Sequence, residues 1–71
     1  MQSCIVDGQK VTVGDYVCFK SDVEQSGKIV QIRTDSFGKP ELVLESQYGF
    51  HGDYIGGQTR TVERAVDCWV E

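Results

Sequence analysis

Seventy-one residues hold a single domain, 1–71, and a chain of this size buries only about 60% of the surface its unfolded form exposes. Eleven acidic against seven basic side chains give a net charge of −4, which disfavours tight non-specific binding to a phosphate backbone. The balance of charged and hydrophobic residues argues against disorder, and no apolar run approaches the roughly 20 residues of a membrane helix.

The first element is a short apolar run, Cys4-Ile5-Val6, followed by Asp7-Gly8 and then Gln9-Lys10-Val11-Thr12-Val13. Asp-Gly is a strong two-residue hairpin signal, so 3–13 reads as a small N-terminal hairpin or an extended lead-in. Gly14-Asp15 interrupts as a turn or bulge. Residues 16–20 continue as a strand, with Val17 and Phe19 on the core face and Tyr16 and Cys18 on the other. Residues 21–26 are a polar loop. Ser21 and Glu24 have the spacing of a capping box, which predicts one helical turn ending at Gly27.

Residues 28–33 form the clearest strand, with Val30 and Ile32 sharing one face and Ile29 opposite them or at a bulge. A turn-rich connection, 34–40, leads to 41–45, where Leu42 and Leu44 alternate with Glu41, Val43 and Glu45 as in a half-buried antiparallel strand. The rhythm then breaks. In 47–58 four glycines are interleaved with Tyr48, Phe50, His51, Tyr54 and Ile55, and the segment reads as a folded loop or a bulged hairpin. Residues 59–62 are a strand, 63–67 a single turn and 68–70 a short closing strand with Trp69 pointing outward or capping one end.

Val13-Gly14-Asp15-Tyr16-Val17, a polar loop, then Gly27-Lys28-Ile29-Val30-Gln31-Ile32 resembles the start of SH3-like barrels of the KOW and Tudor type. The resemblance covers roughly residues 11–70. It implies an all-β, five-stranded SH3-like barrel with one short 3₁₀ turn before the last strand. The N-terminal strand or hairpin is an addition to that pattern, and 47–58 is longer and richer in glycine than a minimal connection.

No segment carries a catalytic constellation. His51 is the single histidine and reads as a surface loop residue, because a general base needs a positioned partner. Cys4, Cys18 and Cys68 are odd in number and widely spaced, which is neither a disulfide framework nor a zinc knuckle. They read as reduced, small hydrophobes. The glycines lack the strand, helix and Lys-Ser/Thr pair of a phosphate loop. The expectation is therefore a protein that is not an enzyme and uses no metal or cofactor.

The aromatics are more informative. Flat rings beside glycines give contact area at low entropic cost, a combination suited to a peptide, a methylated amine or a stacked base. Tyr48 reads as a surface contact, while Phe50 and Tyr54 lean towards filling a thin core. Phe37, beside Gly38-Lys39-Pro40 at a hairpin tip, is hard to bury. Arg60 belongs to a mixed patch with Arg64 and the 28–39 hairpin. Candidate binding residues are thus Phe37, Tyr48, Phe50, His51, Tyr54 and Arg60. The expected function is a small cytoplasmic protein-interaction or regulatory module of the sort used as a bacterial or phage accessory protein. It would be a monomer or homodimer, without membrane contact, and would bind its partner through the aromatic segment or an open strand edge. Nucleic-acid binding, implied by the KOW likeness, is the alternative.

Overall fold

A computed structural model describes residues 2–71. Among these residues all regular structure is β apart from one 3₁₀ turn. Six strands, β1 (Ser3–Val6), β2 (Gln9–Thr12), β3 (Tyr16–Ser21), β4 (Val23–Thr34), β5 (Pro40–Glu45) and β6 (Arg60–Arg64), precede the turn at Ala65–Asp67. They form a two-stranded sheet, β1-β2, and a four-stranded antiparallel sheet in the order β3-β4-β5-β6. Among the described residues the strands form no closed barrel. After the 3₁₀ turn the chain returns to the β3 edge, where Trp69 meets Cys18 as a single antiparallel bridge through reciprocal bonds of 2.8 and 2.9 Å. The closing strand expected over 68–70 does not develop. Asp67, the preceding residue whose main chain could face β3, is still in the 3₁₀ turn, and the Cys68 N–H returns to the Ala65 carbonyl at 3.1 Å.

The Asp7-Gly8 hairpin forms where the sequence places it. Both residues take positive φ, 51° and 78°, as a turn that follows the right-handed twist of its strands requires. Asp15 builds the next corner: its carboxylate accepts the Thr12 N–H at 2.9 Å, and its backbone carbonyl accepts the Ile29 N–H at 2.8 Å.

Two expectations fail in β4. The helical turn over 21–27 is absent, because β3 and β4 pair without a break from Tyr16↔Lys28 to Ser21↔Val23 around Asp22, which has φ 64°. One turn of helix fixes several residues for one hydrogen bond, and a continuous ladder outweighs it. Val30 and Ile32 do not share the core face either. The register shifts between Ile29 and Gln31, so Val30 is the extra, half-buried residue of a bulge, and Ile29 and Ile32 point inward.

The core joins both sheets. Val6 and Val11 of the N-terminal hairpin meet Val17, Phe19, Ile29, Ile32, Leu42 and Leu44 of the larger sheet, with Phe50, Ala65 and Cys68. Truncating one such side chain to Ala costs about 2–5 kcal/mol. A domain of this length has about 4–10 kcal/mol in total, so few of these residues are expendable.

Candidate functional site

β4 is twelve residues long and β5 only six. Pairing between them starts at Lys28↔Glu45, which leaves 23–27 of β4 without a neighbour on the β5 side. Segment 46–57 covers this overhang. Phe50 is the anchor: it is 3% exposed, and its ring lies 5.5 Å from that of Phe19 in an edge-on arrangement. Gly27 makes room for it, since a Cβ there would sit 3.2 Å from the Phe50 ring and 3.0 Å from the Leu44 Cβ.

The rest of the segment is tied down by polar contacts. The Gln25 side-chain amide clasps the backbone of His51, accepting its N–H at 2.9 Å and donating to its carbonyl at 3.0 Å. The Asp22 carboxylate accepts the Asp53 N–H. Within the segment, Phe50 donates to the Gln58 carbonyl and Gly57 to the Phe50 carbonyl, at 2.8 and 2.9 Å. Gly56 lies so close to the Gly52 carbonyl that no side chain fits there. Segment 46–57 is thus a folded loop, pinned at its base, and two rings stand out from it: Tyr48 is 92% exposed and Tyr54 80%.

The structure divides the sequence-predicted binding residues. Tyr48, Phe50, His51 and Tyr54 share this loop, and Arg60 lies at the same end of the sheet, opposite Glu45. Phe50 is a core residue with no surface to offer, whereas Tyr54 is outside, against the expectation of core filling. His51 is exposed, and its backbone, rather than its imidazole, carries the contacts described. Arg60 is engaged by Glu45 at 3.2 Å. Phe37 is 86% exposed but sits beyond the other end of β5, about 20 Å of strand away. Its hairpin tip is shaped by Asp35, whose carboxylate accepts the Phe37 and Lys39 N–H groups at 2.8 and 2.9 Å. Those bonds, the Lys39 one foremost, hold the Asp35 carboxyl below its ordinary value.

Sequence reasoning missed Gln25 and Asp22, whose roles depend on a contact across 26 and 31 residues. It also missed Tyr16 as a surface residue of interest. Tyr16, Lys28 and Glu45 line an open cleft of about 510 Å³ with Ser46, Gln47 and Thr59, and its floor includes the Gly27 backbone.

All three thiols are shifted away from the thiolate. Burial, with Glu63 and Asp67 nearby, pushes Cys68 up to about 12, and its Sγ donates to the Arg64 carbonyl at 3.4 Å. A thiol this far from ionisation is inert near neutral pH. Burial also raises Cys4, and burial together with the Glu71 carboxylate raises Cys18. Among the described residues no group of three or more His, Cys, Asp or Glu is placed to hold a metal ion, and no helix is long and apolar enough to cross a membrane. No family model, curated protein or solved structure matches the chain.

Proposed function

We propose that this chain is a small protein-interaction module whose recognition element is the pinned 46–57 loop with its two tyrosines. The observation that carries the reading is the contrast within that loop: a buried Phe50 and a Gln25 clasp at the base, and Tyr48 and Tyr54 almost wholly in solvent. A ring held out by an ordered backbone loses little entropy on binding, the economy that favours tyrosine in binding surfaces.

The scaffold is an SH3-like barrel left open in this reading, its return to β3 reduced to one bridge. Its support is the chain path: four antiparallel strands in sequence order, a 3₁₀ turn, and a return to the first strand at Trp69. The N-terminal hairpin is then an addition that widens the core. The nucleic-acid reading has less support. The net charge is −4, and two of the cations, Arg33 and Arg60, are already engaged by Glu41 and Glu45.

The test compares tagged wild type, a Tyr48→Ala/Tyr54→Ala double variant and a Phe37→Ala control as baits in lysate of the cells that make the protein. The double variant is expected to retain the wild-type circular dichroism, because both rings are exposed. A protein retained by wild type and by Phe37→Ala, and lost with the double variant, supports the loop. Equal recovery by all three, or no protein retained by any, overturns it.

A further inference from the structure

The order β3-β4-β5-β6 leaves β6 at the sheet edge. The direction in which its main chain points follows from one hydrogen bond. Ser46 donates to the Thr59 carbonyl at 2.9 Å, which makes 46/59 a hydrogen-bonded pair in the register that runs Glu45↔Arg60 to Glu41↔Arg64. Such pairs alternate along an antiparallel ladder. Thr61 and Glu63 therefore turn their main-chain groups towards β5, and Arg60, Val62 and Arg64 turn theirs away from it. Of these, the Arg64 carbonyl takes the Cys68 thiol. Arg64 is also the N-cap of the 3₁₀ turn, so its carbonyl belongs to that turn. The outward groups without a turn, loop or side-chain partner among the described residues are those of Arg60 and Val62.

The same three residues display their side chains on the outer face of the sheet, where Val62 is 44% exposed. Each faces a complementary residue on β5: Arg60 opposite Glu45, Val62 opposite Val43, Arg64 opposite Glu41. The protein thus already contains one strand of pattern acid-x-Val-x-acid laid against Arg-x-Val-x-Arg. The outer side of β6 offers the same three side chains together with the outward main-chain groups of Arg60 and Val62.

A second copy paired about Val62 is disfavoured there. Antiparallel self-pairing about Val62 would set Arg60 of each copy against Arg64 of the other, and like charges directly opposite are destabilising. Phosphates would use the arginines but leave Val62 and the open ladder unmatched.

We propose that the β6 edge accepts an extended polypeptide segment carrying two carboxylates four residues apart with an apolar residue midway, adding it as a further strand. In a strand such residues share one face, so the carboxylates meet Arg60 and Arg64 while the apolar side chain covers Val62. Arg60 would be shared between Glu45 and the incoming carboxylate. Arg64 makes no ion pair with Glu41, which is turned to Arg33 at 2.8 Å, and its charge also reaches the Asp35 carboxylate.

This inference rests on the chain being an interaction module and uses a surface other than the tyrosine loop. The test is an NMR titration of the labelled protein with three probes. These are a blocked peptide Ser-Glu-Thr-Val-Thr-Glu-Ser, the same peptide with both Glu replaced by Lys, and a single-stranded oligodeoxynucleotide. The acidic peptide is expected to shift the amides of Arg60 and Val62. Its affinity should exceed that of the lysine peptide roughly tenfold and fall with added salt. Arg60→Gln/Arg64→Gln, with Arg60→Glu/Arg64→Glu as the harsher form, should abolish the preference. Tyr48→Ala/Tyr54→Ala should leave it intact, which separates failure here from failure of the loop. Equal binding of the two peptides, shifts from the oligonucleotide without shifts from the acidic peptide, or no shifts at β6 with any probe would overturn it.

Discussion

Single positions in this chain are decided by what surrounds them more than by their chemical type. Phe50 and Tyr54 stand four residues apart in the same glycine-rich run, yet one is in the core and the other in solvent. The run has neither the period of a strand nor that of a helix, so nothing local tells the two rings apart. The sorting is done by Gly27 on a distant strand, which leaves space for one ring. Glu63 shows the same dependence. It lies on the inward side of β6, half-buried, and the loss of water raises its carboxyl above the ordinary 4.5; the Thr61 hydroxyl bond opposes this and Asp67 adds to it. A folded value above the unfolded one means that stability is fullest below 4.5 and is lost as pH rises through the folded value. Glu63→Gln, which keeps an acceptor for Thr61 and carries no charge, is expected to be more stable than wild type near pH 7. The gap should close below about pH 4, where both side chains are neutral. Urea midpoints at the two pH values check this, and a Glu63→Gln variant less stable at neutral pH would contradict it.

At the scale of elements, local signals served well where the structure is locally determined. Asp7-Gly8 needs only positive φ at two residues and could be read directly, as could Leu42 and Leu44 as core residues; Val43, expected on the open face, is buried as well, at 7% exposed. The capping-box spacing of Ser21 and Glu24 misled because both residues belong to the continuous β3–β4 ladder, and their neighbours Asp22 and Gln25 are claimed by a distant segment. The Asp22 carboxylate bonds the 46–57 loop at Asp53, and Gln25, on the strand that replaces the predicted turn, bonds the same loop at His51. Loop and hairpin therefore hold each other, which gives the next expectation. Gln25→Ala removes two hydrogen bonds to His51, each worth a net of about 0.5–1.5 kcal/mol. The variant should lose about 1–3 kcal/mol in denaturant unfolding, with the slope unchanged because the core is untouched. Exchange of the His51 amide should quicken well beyond that of amides in β5. An unaltered His51 exchange rate would show that the loop does not depend on the clasp.

For the molecule as a whole, the telling feature is how charge is distributed. The chain is acidic overall, yet the outer face of the larger sheet carries two rows of alternating sign, Arg33-Glu41-Arg64 and Lys28-Glu45-Arg60, on either side of Gln31, Val43 and Val62. Composition could not show this, because the rows are assembled from three strands and shifted into line by the bulge at Val30. The arrangement leaves cations at both ends of the exposed β6 edge, where they would guard against antiparallel self-pairing about Val62. The guard can be inverted by one substitution. Arg64→Glu turns β6 into Arg-x-Val-x-Glu, and antiparallel pairing about Val62 then places Arg60 of each copy against Glu of the other. Two opposite-charge pairs replace two repulsive ones, the main-chain groups of Arg60 and Val62 find partners, and the two Val62 side chains cover each other. The wild type is expected to sediment as a monomer, and Arg64→Glu as a dimer whose association weakens with salt. Reversal of the second arginine, in Arg60→Glu/Arg64→Glu, makes the edge like-charged again and should restore the monomer. If Arg64→Glu stays monomeric at millimolar concentration and low salt, the edge is closed to any added strand.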